Sequence, residues 1–270
     1  MARKRQATVT VVIPTYNSEK TLRSCLESIA AQTYPPCDIY VVDNYSTDST
    51  SSIARAFGAK VLQSSGSMGK AKNIGAENAS DFVFFVDSDQ VLAPSVVQEC
   101  VDLGEKGVDA VAIPEIPTST GYWGKCIAYG RTIFEDNEFQ NMPRFFARRV
   151  FEKIKYDESL LFYEEQALNI QLRSAGFQVA RCASPLYHLE LSNLRTMIRK
   201  YYRYGESLRP FYRSYGVTAV RVSTSTIRNL VHMRKLFRYA RRNPLYFFGA
   251  LVVKTLRHFA VALGYLESIL

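Results

Sequence analysis

Five cysteines are scattered through 270 residues, and no two of them form a Cys-x-x-Cys pair. Their odd number and wide spacing argue against a zinc site and a disulfide framework, and a reducing cytoplasm is the expected home. No glycine-rich phosphate loop is present. The stretch after the first strand pattern, Thr15-Tyr16-Asn17-Ser18, contains no glycine, which removes the dinucleotide fingerprint and the loop expected of a nucleotidyltransferase, and no Walker sequence occurs. No uncharged apolar run approaches the roughly 20 residues of a membrane span; Leu245 to Val253 is cut short by Lys254, Arg257 and His258. The basic start, Met-Ala-Arg-Lys-Arg-Gln, leads into a strand pattern rather than the apolar stretch of a signal peptide. Acids are scarce at the other end. Residues 195–270 hold 15 Lys and Arg against Glu206 and Glu267, a charge of +13, while residues 1–194 hold 19 against 23, a charge of −4; the two sum to the +9 of the chain. A near-neutral body followed by a basic tail implies an anionic partner for the tail.

What remains is ordinary for a folded protein, with 47% hydrophobic and 22% charged residues, and the length suits one α/β domain plus an appendage. Thr8 to Ile13 is β-branched throughout, as in a central parallel strand, and Pro14 is expected to end it. Ser18 can cap a helix over Thr21 to Gln32, where Leu22, Cys25, Leu26 and Ile29 recur at helical spacing. A second strand, Ile39 to Val42, runs into a turn of carboxylates and hydroxyls (Asp43 to Thr50) and a helix through Ala56. Lys60 to Leu62 reads as a third strand and Lys70 to Ala79 as another helix. Strands alternating with helices give a doubly wound α/β fold, a mostly parallel sheet with helices on both faces and ligands beyond the strands' carboxyl ends. Further on, Ser95 to Gly104 and Gln166 to Ala175 read as helices, and Asp109 to Ile113 and Val179 to Ala183 as strands. Residues 114–144 lose periodicity and read as a long connector holding Trp123, the single tryptophan.

The most telling stretch is Phe82-Val83-Phe84-Phe85-Val86, a strand buried on both faces, followed at once by Asp87-Ser88-Asp89. In an extended chain the two carboxylates point the same way. About 6 Å apart, they repel by roughly 3 kcal/mol at an effective dielectric of 20, so a positive group belongs between them. A hard cation, Mg²⁺ or Mn²⁺, carrying a diphosphate meets that need. A solvated turn at a strand end can carry the same residues.

Five pieces stand in one order along the chain: Val-Val-Ile-Pro-Thr-Tyr-Asn (11–17), Val-Val-Asp-Asn-Tyr-Ser-Thr-Asp-Ser-Thr (41–50), Gly-Lys-Ala-Lys-Asn-Ile-Gly (69–75), Val-Asp-Ser-Asp (86–89), and Tyr-Glu-Glu-Gln-Ala-Leu-Asn-Ile-Gln-Leu-Arg-Ser-Ala-Gly-Phe (163–177). With them, residues 8–188 resemble the family-2 inverting glycosyltransferases, whose fold is GT-A. The resemblance implies a nucleotide-diphosphate sugar as donor and roles for single residues. Pro14, Thr15 and Asn17 would pack near the base and ribose, and Asp43 would meet the base. Asp87, Ser88 and Asp89 would hold ribose and the metal-bound diphosphate, with Asp89 on the metal. Lys72 stands where the family usually has arginine; a lysine can neutralise phosphate but offers no two-pronged fork. The catalytic base falls on Glu165, the second member of an acidic pair, with Glu164 in reserve; acids also favour a helix start through the macrodipole alone. His188, after Pro185, would approach the metal or diphosphate, or serve as an ordinary packed residue.

The expected division is a GT-A catalytic domain over 1–194 and a basic amphipathic helical region over 195–270. In the latter, Leu230, Met233, Phe237 and Ala240 recur at helical spacing while Arg234, Arg238, Arg241 and Arg242 crowd elsewhere. Interleaved basic and aromatic residues can also bind nucleic acid, but no nucleic-acid motif accompanies them. The expectation is a peripheral enzyme on the inner, cytoplasmic membrane face whose acceptor is a polyprenyl-phosphate-linked glycan or a glycolipid. The alternative is a non-catalytic nucleotide-sugar or lipid-binding module at such a surface.

Overall fold

The computed structural model describes residues 5–134, 142–189, 193–228 and 233–270. Leu230 of the tail pattern lies outside them. The described chain runs β1 (Val9–Thr15), α1 (Leu22–Ala30), β2 (Asp38–Asp43), α2 (Thr50–Ala56), β3 (Lys60–Gln63), α3 (Met68–Glu77), β4 (Phe82–Phe85), β5 (Gln90–Leu92), α4 (Val96–Glu105) and β6 (Ala110–Ala112). It continues through β7 (Glu115–Thr118), α5 (Gly121–Phe134), β8 (Pro143–Ala147), α6 (Arg148–Phe151), α7 (Glu164–Ser174), β9 (Val179–Arg181) and β10 (Leu186–Leu189). The helices α8 (Leu194–Arg228), α9 (Met233–Arg242) and α10 (Pro244–Glu267) complete it.

These elements group into two compact units. The first comprises residues 1–115, 141–159 and 168–187, and the second 116–140, 160–167 and 188–270. In the first, a seven-stranded sheet has the order β3-β2-β1-β4-β8-β6-β9. Pairings β1–β2, β1–β4, β2–β3 and β6–β9 are parallel; β8 is antiparallel to both its neighbours. Side chains alternate across the sheet, as the two-residue period of a strand requires. Val9, Val11 and Ile13 join Leu22, Leu26 and Ile29 of α1 and Val97 and Cys100 of α4 in one buried layer. Val12, Val83 and Phe85 join Ala71 of α3, Phe146 and Phe151 in another. Each buried Val, Leu, Ile or Phe among them contributes about 1.5–3 kcal/mol. Three shorter strands form a second sheet in the order β5-β10-β7.

Several expectations need correction. Pro14 does not end β1, which continues through Thr15 in register with Val42 and Asp43. The carbonyls of Thr8 and Val12 accept from the β4 side and those of Val9 and Thr15 from the β2 side, so the Pro14 nitrogen faces β4. The β4 ladder stops at Val12–Phe85, so the missing N–H costs no hydrogen bond there. Ser18 does not cap α1 with its side chain; its hydroxyl bonds Ser88 at 2.8 Å instead. Residues 114–144 are not a bare connector, since β7 and the 14-residue α5 occupy much of that stretch. Glycines at 121, 124 and 130 obscured the helix, yet in α5 a small residue lets another helix lie close: a Cβ on Gly130 would sit 3.4 Å from the Ala250 Cβ of α10.

The second unit is built on α5, α8 and α10. Cys126, Ile127, Met197 and Val253 bury one another between these helices. Where α8 crosses α10, a Cβ on Gly264 would strike the Tyr202 carbonyl oxygen and one on Gly205 the Val261 carbonyl, so the two backbones lie nearly in contact. α8 itself is interrupted at Gly216, whose φ of 56° lies in the left-handed region.

Candidate active site

The loops after β1 and β2 are laced together at the carboxyl edge of the sheet. Asn17 donates its backbone N–H to Ser46 Oγ (2.8 Å) and accepts from the Thr47 N–H (2.9 Å); Ser18 donates its N–H to Thr50 Oγ1 (2.7 Å). At the centre is Asp43, 1% exposed. Thr15 Oγ1 (3.1 Å), Ser51 Oγ (3.1 Å), Gln63 Nε2 (3.2 Å) and both the N–H and hydroxyl of Ser46 donate to its carboxylate. Burial opposes its charge, but these hydrogen bonds outweigh burial and hold its carboxyl below the ordinary range. Asp43 thus organises the loops after β1 and β2.

β4 ends at Phe85, so Asp87 and Asp89 are placed by a turn and not by strand alternation as expected; Gln90 N–H donates to the Asp87 carbonyl (3.0 Å) to close it. Gln90 Nε2 (3.0 Å) and Arg144 Nη1 (2.9 Å) both donate to Asp87 Oδ2. The other oxygen, Oδ1, is buried and has no hydrogen-bond partner among the described residues. An anionic acceptor left so is costly unless a ligand supplies a donor or a cation. Both aspartates also lie close enough to Cys25 to add to the effect of burial, which pushes that thiol well above its ordinary value.

A metal can be tested against this arrangement. No group of three or more His, Cys, Asp or Glu side chains converges among the described residues. A cation that brings a diphosphate needs only one or two carboxylates from the protein. The turn carries two carboxylates, Asp87 and Asp89, and one oxygen of Asp87 is unsatisfied among the described residues. The residues fit a cation shared with its substrate.

Lys72 takes a different position from a surface phosphate contact. It is 0% exposed, with its ammonium 5.0 Å from the centre of the Tyr156 ring. Its helix is locked to the same segment: Asn73 Nδ2 donates to the Tyr156 carbonyl (3.0 Å) and to Glu158 Oε1 (2.9 Å), and accepts from the Tyr156 N–H (3.0 Å). A Cβ on Gly75 would collide with Val12. The glycines and asparagine of 69–75 therefore fasten α3 to β1 and to residues 156–158.

Glu164, Glu165 and His188 belong to the second unit. Both acids lie in the first turn of α7, Glu164 buried and Glu165 half-buried. Tyr163, just before them, has φ 70°, and its ring stacks on Phe211 with centroids 5.0 Å apart. Among the described residues the other non-glycine left-handed residues are Asn17, itself a candidate, and Tyr45, two positions after Asp43. Burial, neighbouring Tyr201, and the charges of Glu164 and Glu165 all raise Tyr204. His188 is half-buried and its carbonyl accepts from Thr118 Oγ1 (3.1 Å).

The family model for Glycosyl transferase family 2 matches residues 10–159, more than half of the chain. The chain belongs to glycosyl transferase family 2. Glycosyltransferase GlyA of Streptococcus pneumoniae is 37% identical over 97 residues, which cover 33% of this chain and 14% of GlyA. TarS of Staphylococcus aureus, a poly(ribitol-phosphate) β-N-acetylglucosaminyltransferase, is 37% identical over 99 residues, 33% of this chain and 17% of TarS. The match therefore spans a small part of these longer relatives. Among solved structures, the mannosyltransferase PcManGT of Pyrobaculum calidifontis, in complex with GDP-Man and Mn²⁺, superposes with a TM-score of 0.60 at 18% identity, covering 97% of this chain and 88% of the other. TarS residues 1–349 with UDP-GlcNAc give 0.58 at 18% identity, over 97% and 89%. At that identity the likeness is one of fold: the GT-A sheet with a helical appendage after it.

In this family member, sequence reasoning missed the residues that hold the candidates in place. Arg144, 6% exposed, bonds Asp87 and lies 3.5 Å from Glu115. The signal was available: Pro-Arg-Phe-Phe-Ala puts a single charge inside an apolar strand, and a buried arginine requires a carboxylate partner. Ser46, Ser51, Gln63 and Gln90 were equally silent, because a polar residue in a loop looks alike whether it serves a carboxylate or water.

Proposed function

We propose that this chain is an inverting glycosyltransferase that moves a sugar from a nucleotide-diphosphate sugar to an acceptor hydroxyl. The observation that carries the reading is the turn after β4, where Asp87 keeps one buried oxygen unpartnered while Arg144 and Gln90 occupy the other. That turn suits a ligand rich in hydroxyl and phosphate groups. Pro14, Thr15, Asn17 and the loop organised by Asp43 would flank base and ribose; Ser88, tied to Ser18, would fix the turn against the first loop. A Mn²⁺ or Mg²⁺ ion held by Asp89, with Asp87 and His188 as further candidates, would supply positive charge against the departing diphosphate. Lys72, buried, would add its charge against the diphosphate. Glu165, or Glu164 in its place, would accept the acceptor's proton as the hydroxyl oxygen bonds to the anomeric carbon. The bond from that carbon to the diphosphate breaks on the opposite face, so the configuration inverts and a nucleoside diphosphate leaves.

The basic 195–270 region supports an acceptor at an anionic membrane surface, a polyprenyl-phosphate-linked glycan or a glycolipid at the cytoplasmic face. The test of the reaction uses Asp89→Ala and Glu165→Gln, with folding checked by circular dichroism and sugar transfer or slow donor hydrolysis measured with Mn²⁺. We expect each variant to lose a factor of about 10²–10⁴. Near-normal transfer in both sinks the proposal. The non-catalytic alternative requires that wild-type protein show no donor hydrolysis at all.

A further inference from the structure

α10 is built inside out. Its buried positions are Gly249, Ala250, Val253, Ala260 and Gly264, small residues packed against α5 and α8. Its large side chains point outward: Leu245, Phe248, Val252, Phe259, Leu263 and Leu266 are exposed, Phe248 and Phe259 each by 65%. They recur at three, four and seven residues and so form one stripe along a helix about 36 Å long. The helix's two cations are not on that stripe. Lys254 and Arg257 are half-buried, and the Arg257 guanidinium lies 4.1 Å from the centre of the Tyr201 ring. The exposed polar groups on the outward side satisfy themselves, since Thr255 Oγ1 donates to the Leu251 carbonyl (3.0 Å) and His258 Nδ1 lies 2.7 Å from the Lys254 carbonyl. In water the opposite arrangement is favoured, with charge outward and leucine inward. The preceding helix supplies the complement: α9 exposes Arg238, Arg241 and Arg242 beside Phe237.

From this we infer that the outward face of α10 is a docking surface for an anionic lipid bilayer, which it enters at the headgroup boundary lying flat, with the arginines of α9 on the phosphates. The inference rests on the membrane-surface reading above and names the surface. Charge favours lipid over a second copy of the chain, because two such faces would each bring a region of +13. The helix is long and apolar enough by composition to cross a bilayer. Its inner face, however, is already occupied by α5 and α8, and only the outer face is free for hydrocarbon.

The test is co-sedimentation of the full chain with vesicles of phosphatidylcholine and phosphatidylglycerol, at low and high salt, and with vesicles of phosphatidylcholine alone. A Phe248→Ser/Phe259→Ser/Leu263→Ser variant changes only exposed positions. It should lose about tenfold or more of the partitioning at both salt concentrations. An Arg238→Gln/Arg241→Gln/Arg242→Gln variant should lose chiefly the salt-sensitive part on anionic vesicles. Wild-type pelleting by the triple apolar variant overturns the inference. So does a wild-type dimer in solution that the apolar variant dissociates while neither protein binds vesicles, which assigns the face to a second copy. Vesicle binding by wild type without any sugar transfer leaves this inference standing and sinks the transferase reading.

Discussion

The two units hold themselves together by opposite means. In the first, the ends of β1, β2 and β4 are polar, and specificity of shape comes from hydrogen bonds converging on single carboxylates. Asp43 gathers four residues, and Asp87 gathers Gln90 and Arg144. In the second, the helices meet at small residues as well as through hydrogen bonds such as Tyr129 Oη to the Tyr239 carbonyl. Gly205 and Gly264 let α8 and α10 approach until backbone nearly touches backbone, while Phe248, Phe259 and Leu263 of α10 are turned away from the contact. A network of this kind fixes where a ligand's oxygens can go, since any wrong position leaves a buried polar atom unpaired. A small-residue crossing leaves large side chains available for some other apolar medium.

The largest effect expected from breaking this contrast is at Arg144. Truncation to methionine leaves the half-buried Asp87 and the buried carboxylate of Glu115 without the cation they share. Removing one partner of a buried ion pair costs about 3–5 kcal/mol. Chemical denaturation should show that loss, and donor binding by thermal shift should fall with it. Arg144→Lys restores charge without the two-pronged geometry and should recover stability more than donor binding. Equal recovery of both would make Arg144 a mere counter-charge.

How far this was legible beforehand differs between the units for the same reason. Strand and helix patterning in residues 8–113 is carried by large apolar side chains that face one of two buried layers, so Val11, Ile13, Leu26 and Phe84 announced their elements directly. α5 and α10 announced less. In α5 glycines at 121, 124 and 130 interrupt the apolar pattern, and in α10 the inward positions are mostly Gly and Ala while Leu and Phe face outward, so the two read as an irregular segment and a short apolar run. Among site residues, Asp43 and the aspartates of the β4 turn were visible as carboxylates at strand ends. Arg144 and Gln90 were not, because their importance lies in a contact across 57 residues in one case and in a turn that strand alternation did not foresee in the other.

A smaller effect is expected at the helix crossing. Gly264→Ala places a methyl group against the Tyr202 carbonyl, a backbone atom that can yield only if α8 and α10 move apart. Overpacking of this sort costs about 1–3 kcal/mol. Hydrogen exchange should show faster opening of amides in α8 and α10, with those of β1 and β4 unchanged. Protection lost evenly over the whole chain would mean that the two units do not differ in the way described.

The smallest effect concerns the charge on Asp43 and its dependence on pH. Its folded carboxyl titrates below the ordinary range, because hydrogen bonds from Ser46, Gln63 and Thr15 exceed the opposing cost of burial. A carboxylate depressed by folding stabilises the native state fully above its unfolded value, near 3.9, and that contribution disappears as pH falls through the lower folded value. Asp81 and Glu99, also depressed, add to the same acid-side loss, so wild-type protein alone cannot isolate Asp43. The comparison with Asp43→Asn can. Asparagine keeps the shape and one acceptor oxygen but no charge, and should cost about 1 kcal/mol at neutral pH. Denaturation midpoints of the two proteins should converge as pH is lowered from about 5 toward 3, since wild type loses there what the variant never had. A constant gap across that window would mean that Asp43 stabilises its loop by hydrogen-bond geometry alone, and that its ionisation contributes nothing to the fold at the end of β2.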